Sequence, residues 1–131
     1  MTTLVAAAVV VREGKVLLTR RMKGSHLADL WEFPGGKLEP GEAPEAAVVR
    51  ECREECDVEV RVIDILDVTF HRYGTKDVLL LFYDCELVSG EVKHLGVADH
   101  VWVLPEELDG YELPPADVPV VRKLKARAAS R

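Results

Sequence analysis

The stretch from Gly36 to Val58, GKLEPGEAPEAAVVRECREECDV, decides how the rest of the chain is read. It opens on a glycine turn, Pro34-Gly35-Gly36, and a loop runs to Gly41. Pro44 then suits the first turn of a helix, where its missing N–H is harmless. The helix is predicted over residues 43–56. Ala46, Val49, Cys52 and Cys56 recur at spacings of three, three and four and form its apolar stripe. Glu51 and Glu55 share a second face at i, i+4, and Glu51 and Glu54 share it at i, i+3. Three acids are therefore expected to converge on the side away from the stripe. Like charges at such spacing repel, and Arg50, four residues before Glu54, offsets only part of that.

A cluster of hard carboxylate oxygens suits magnesium or manganese, ions that also bind phosphate oxygens. The plain alternative is a solvated charged face. Glu42 and Gly36 stand ahead of the run at fixed spacing, and they tilt the reading toward a built site.

Outward from this segment, strands alternate with helices. Leu4–Val11, a tight turn and Val16–Thr19 read as a hairpin. Arg20 to His26 is basic and loop-like, and Trp31-Glu32-Phe33 is a short extended piece. Val58–Phe70, Val78–Leu87 and Val101–Val103 read as strands, and Pro105–Leu108 as one helical turn. Asp117 is a plausible N-cap for a last helix with Val120, Val121 and Leu124 on its apolar face. This order suggests an α/β fold, an α/β/α sandwich around a mixed sheet.

The 131 residues suit one domain spanning 1–131. A net charge of −6 argues against binding a nucleic-acid polymer, yet permits a nucleotide whose phosphates a metal neutralises. The eight apolar residues from Leu4 are too few for a bilayer span, so no membrane association is expected. Nor do they follow a basic leader, which makes them a poor signal peptide. Three cysteines, Cys52, Cys56 and Cys85, cannot all pair within the chain. Cys52 and Cys56 could share a metal at i, i+4, but small buried apolar residues are the better reading. A reducing cytosol, and so a cytoplasmic protein, is expected.

Gly36, Glu42, Arg50, Glu51, Glu54, Glu55 and Val58 fall on the pattern G-x5-E-x7-R-E-U-x-E-E-x-G-U, U being bulky and apolar. The segment resembles the Nudix box. Cys52 replaces the usual aliphatic residue and Asp57 the usual glycine. That glycine lies just past a helix, where left-handed backbone is common, so Asp57 should carry a modest stability penalty. Thr19-Arg20-Arg21, the EFPGGK at Glu32–Lys37 and the PPAD before Val118 extend the resemblance to the MutT-like branch.

The resemblance implies a Nudix fold and a hydrolase that splits a nucleoside triphosphate into monophosphate and pyrophosphate, with Mg2+ as cofactor and Mn2+ as its substitute. It implies Gly35 (through its carbonyl), Glu51, Glu54 and Glu55 as metal ligands. Glu51 is a ligand or the general base, Arg50 orients it, and Glu42 supports. MutT-like enzymes often carry a further glutamate six residues before the tryptophan of the Val101-Trp102 strand. Here that position is Gly96, and Asp99 or His94 could substitute. A monomer is expected, with a dimer as the alternative.

For substrate, Arg21 and His26 match phosphate-contacting positions of the branch, and Lys37 belongs to the same set. Phe33 could stack on a base or simply fill core. Asp117 stands where enzymes preferring 8-oxo-dGTP often place asparagine, and in this it resembles the CTP pyrophosphohydrolase branch. An ionised carboxylate only accepts hydrogen bonds, whereas a protonated one can also donate. The first expectation is an oxidised, 8-oxo-dGTP-like triphosphate, the second CTP or modified dCTP. A third, from another class, is a nucleotide-sensing module without hydrolysis. His71, Tyr73 and Lys76 beside a predicted strand turn carry no specific signal.

Overall fold

A strand that is apolar at nearly every position belongs in a sheet covered on both faces. The computed structural model describes residues 1–25 and 28–130 and sets this strand, β1 (Thr2–Arg12), at the middle of a mixed sheet. It runs parallel to β6 (Lys76–Ser89), from Thr2 opposite Asp77 to Val11 opposite Glu86. The other pairings are antiparallel. β2 (Lys15–Arg20) follows β1 through a turn in which Glu13 and Gly14 have φ of 52° and 78°, the handedness that suits a two-residue hairpin. β3 (Trp31–Glu32) and β7 (Asp99–Val103) flank β2, β4 (Gly35–Lys37) pairs β1, and β5 (Glu59–Tyr73) pairs β6.

Alternation along β1 feeds two cores. Ala6, Ala8 and Val10 pack with Ala47, Val48, Cys52 and Cys56 of α1 (Pro44–Cys56) on one face. Ala7 and Val9 pack with Phe33, Phe82, Leu108, Val120 and Leu124 on the other, where α2 (Val118–Ala129) lies. The result is the expected α/β/α sandwich around a mixed sheet. Among the described residues no helix is long and apolar enough to cross a membrane.

Several elements differ from their sequence reading. The buried row of α1 is Ala47, Val48, Cys52 and Cys56, while Ala46 is exposed and Val49 half-buried. Alanine fits either face of a helix, so the contact with β1 settles which one turns inward. β5 and β6 extend past Phe70 and before Val78 to a turn at Gly74-Thr75, because backbone pairing continues beyond the last core side chain. The helical turn after β7 is a 3-10 segment, Pro105–Gly110.

Asp57 closes α1 in left-handed backbone, φ 56° and ψ 37°, with its N–H donating to the Arg53 and Cys52 carbonyls. Its carboxylate also meets Lys93 at 3.2 Å. The three cysteines are buried and unpaired. Burial pushes the Cys56 and Cys85 thiols up to about 12, so they act as apolar fill.

Candidate active site

The glycines before the acidic helix form strand, not turn. Neither Gly35 nor Gly36 has a positive φ. Both are needed for space. A Cβ on Gly35 would stand 2.2 Å from the Ala6 carbonyl oxygen, against β1. A Cβ on Gly36 would stand 2.6 Å from the carboxyl carbon of Glu51. The bare edge of β4 thus lets the Glu51 side chain lie flat against backbone.

Arg50 locks this arrangement. Its Nε and Nη2 donate to the two oxygens of Glu42 at 2.7 and 3.0 Å, a fork-to-carboxylate pair. Nη1 donates to Glu51 at 2.9 Å and Glu54 at 3.1 Å, and Nη2 also to the Lys37 carbonyl at 3.1 Å. One guanidinium therefore ties β4, the loop before α1 and two helical acids together. Glu42 in turn accepts the Glu39 N–H at 3.0 Å, and the Arg50 hydrogen bond holds its carboxyl below the usual carboxylate range.

The three helical acids divide. Glu51 and Glu55 lie on the inward row with Ala47, whereas the Glu54 side chain is 58% exposed and faces Arg50. Positions 54 and 55 lie about 100° apart around the helix, which is too far for full convergence. Glu55 is pushed up to about 8, first by burial, then by the charge of Glu51 and a hydrogen bond with it. Its Oε1 is buried without a hydrogen-bond partner. Two adjacent carboxyls and an orphaned buried oxygen fit a hard divalent cation, whereas Glu54 stands apart from them beside Arg50.

Glu55 also lines a cavity of about 650 Å³ between β1, β4, the tips of β5 and β6, and the segment before α2. Arg21, Phe33, Gly35, Lys37 and Asp117 line it as well, so six of the candidate residues meet there. Arg50, Glu51 and Glu54 stand behind or beside its wall, and His26 lies outside the described residues. Arg21 pairs with both oxygens of Glu32 at 3.0 Å. Burial raises the Glu32 carboxyl against the opposing pull of Arg21. Phe33 is core, edge-on to Phe82 at 6.1 Å, and the two rings give the cavity an apolar wall. Asp117 is 4% exposed and pushed up to about 8, by burial and then by the charge of Glu32. It stands at the expected N-cap position of α2 but makes no side-chain capping bond there. The preceding 3-10 turn, Pro115–Asp117, gives it helical φ and ψ, which aim the carboxyl inward.

Tyr73 and Lys76 were given no role by the sequence, yet both line the cavity. They sit at the far end of the β5–β6 hairpin, and only the sheet register brings that end over β1. Lys76 lies close enough to Lys37 for a side-chain contact, and its ammonium is lowered by that neighbour. Among the described residues neither lysine has an ion pair. Gly96 packs on Glu55, with its N–H donating to the Glu55 carbonyl at 3.1 Å, and a Cβ there would press on Glu55 Cγ at 3.3 Å. His94 and Asp99 do not line the cavity.

Comparison with known proteins agrees with this geometry. A family model described as NUDIX domain matches residues 1–128. A CTP pyrophosphohydrolase of Escherichia coli (strain K12) is 36% identical over 127 residues, covering 97% of this chain and 94% of that protein. An 8-oxo-dGTP diphosphatase of the same organism is 34% identical, covering 85% of this chain and 86% of its own. The solution structure of the E. coli ORF135 protein superposes with a TM-score of 0.84 at 35% identity, over 99% of this chain and 93% of that one. The crystal structure of MutT protein from Methanosarcina mazei Go1 gives 0.87 at 27% identity, over 97% and 95%. The likeness runs through the sheet and the glutamate-bearing helix alike, and the chain belongs to the Nudix family.

Proposed function

We propose that this Nudix pyrophosphohydrolase cleaves a nucleoside triphosphate carrying an oxidised, 8-oxo-dGTP-like base into the monophosphate and pyrophosphate. The observation that carries the reading is the buried, unpartnered Oε1 of Glu55 beside Glu51, on the wall of a cavity that also presents two neighbouring lysines, neither with an ion pair among the described residues. Glu51, Glu54, Glu55 and the Gly35 carbonyl would hold Mg2+. That ion, or Mn2+ in its place, supplies charge neutralisation at phosphate and a more acidic water.

The remaining work falls to side chains. Lys37 and Lys76 repel one another, and an anionic phosphate between them would relieve that repulsion. Arg21, already fixed by Glu32, offers further positive charge at the same wall. Arg50 keeps Glu51 oriented through its hydrogen bond, placed to accept a proton from the attacking water. Phe33 and Phe82 exclude water on the base side. Asp117, protonated near neutral pH, can both donate to and accept from a base edge, as an oxidised purine requires.

A second reading keeps this chemistry and changes the base to cytosine. The relative named CTP pyrophosphohydrolase, similar over almost the whole chain, supports it. A sensor module without hydrolysis is disfavoured by the retained Glu51, Glu54 and Glu55. Purified protein with Mg2+ and a panel of 8-oxo-dGTP, dGTP, CTP and 5-substituted dCTP should release pyrophosphate, fastest from the oxidised purine. Cytidine substrates ranking first would establish the second reading. Absence of turnover, or orthophosphate as product, would refute both.

A further inference from the structure

The connection from β6 to β7 carries a second cluster of ligand-type side chains, away from the cavity. Its inner side is fixed to the end of α1: the Lys93 N–H donates to the Cys56 carbonyl at 2.9 Å, and the Leu95 N–H to the Glu55 carbonyl at 3.0 Å. From between those anchors His94 reaches β7. Its Nε2 lies 2.7 Å from Nδ1 of His100 and 3.9 Å from Oδ1 of Asp99. Nδ1 or Nε2 of each histidine and a carboxylate oxygen of Asp99 all fall within 4.8 Å of one another. The Asp99 carboxylate is itself oriented, accepting the His100 backbone N–H at 2.8 Å.

We propose that His94, Asp99 and His100 form a second metal site, separate from the acidic helix, that takes a borderline divalent ion, Zn2+ foremost. Two imidazole nitrogens and one carboxylate oxygen make a donor set suited to zinc and poorly suited to magnesium, which prefers oxygen alone. The distances suit it too. Tetrahedral zinc with ligands at about 2.0–2.1 Å spaces its donors roughly 3.3 Å apart. The observed 2.7 and 3.9 Å bracket that spacing, so a change of about 0.6 Å in each separation would bring those donor pairs to it. Bound there, the ion would fasten the β6–β7 connection to β7. The competing account is a hydrogen bond between two neutral imidazoles that needs no ion.

The test uses untagged, metal-free protein in excess Mg2+, titrated with Zn2+ against a chromogenic chelator. Wild type should bind one Zn2+ per chain. His94→Ala with His100→Ala, and separately Asp99→Ala, should each weaken binding at least tenfold, while Glu54→Gln with Glu55→Gln should not. Zn2+ should raise the melting temperature of wild type by several degrees and leave the double histidine variant unmoved. No zinc uptake by wild type overturns the proposal. So do equal affinity or an equal melting shift in the double histidine variant, since the ion would then sit on other groups.

Discussion

Glu55 concentrates the conflict between folding and chemistry in one side chain. Its ordinary value of 4.5 is raised to about 8 in the folded chain by burial and by Glu51. Between those two pH values the unfolded chain has released this proton and the folded chain retains it. The folded state then binds more protons, so stability falls as pH rises through that window. Glu55→Gln keeps the shape and removes the titration. In Mg2+-free buffer the variant should be more stable than wild type at pH 8 by about 1–3 kcal/mol, with the gap closing toward pH 4.5. Its hydrolysis rate in Mg2+ should fall by at least ~10²-fold, for loss of a proposed metal ligand. Thermal melts across pH and pyrophosphate release read the two effects. A variant that is both less stable and fully active would remove Glu55 from the site. Arg50→Lys tests the neighbouring lock. A lysine cannot reproduce the paired bonds to Glu42 while reaching Glu51 and Glu54, so the variant should lose about 1–3 kcal/mol and most of its kcat. Urea unfolding and steady-state kinetics measure both, and an unchanged kcat would reduce Arg50 to a stabilising part.

At the scale of elements, α1 is where sequence and structure agree best. A helix imposes its own geometry, so the spacing of Glu51, Glu54 and Glu55 could be read without knowing anything distant. The agreement is still partial. Ala46 was expected inward and is exposed, Val49 packs on the core only half-buried, and Ala47 and Val48 are the buried pair. Two alanines side by side carry no preference, and β1 chooses between them. Gly35 and Gly36 were read as a turn, the ordinary meaning of paired glycines. Their reason is a steric demand from Ala6 and Glu51, residues far away along the chain. The end of α1 was legible because it is local. Asp57 takes the left-handed conformation expected where glycine is usual. Asp57→Gly removes a Cβ from that geometry and also a contact with Lys93. The first effect exceeds the second, an exposed pair, so a net gain of about 0.5 kcal/mol is expected. The urea midpoint should rise with an unchanged slope. A lower midpoint would mean that the Lys93 contact outweighs the backbone strain.

The cavity exists only at the scale of the whole molecule. Its walls come from β1, β4, the far tips of β5 and β6, and the 3-10 turn before α2. Tyr73 and Lys76 escaped the sequence reading for that reason: nothing near them in the chain signals a ligand, and the parallel β1–β6 register brings them in. Asp117 was noticed, but its choice between capping a helix and facing a base depended on the 3-10 turn that rotates it. Burial and the charge of Glu32 hold its carboxyl at about 8. Below that value it is protonated and can donate to a base; above it, ionised, it can only accept. Raising the pH from 7 to 9 should therefore weaken recognition of an oxidised purine that needs a donor, and strengthen recognition of the cytosine amine, which needs an acceptor. The ratio of kcat/KM for 8-oxo-dGTP over CTP should fall several-fold across that interval in wild type. In Asp117→Asn the side chain cannot titrate and always donates. Its ratio should be higher at pH 9 than wild type and change with pH only as far as the bases themselves titrate. The variant thus subtracts any protonation of substrate. Parallel ratio profiles for the two proteins would place base recognition elsewhere in the cavity, with Tyr73 and Arg21 the next residues to vary.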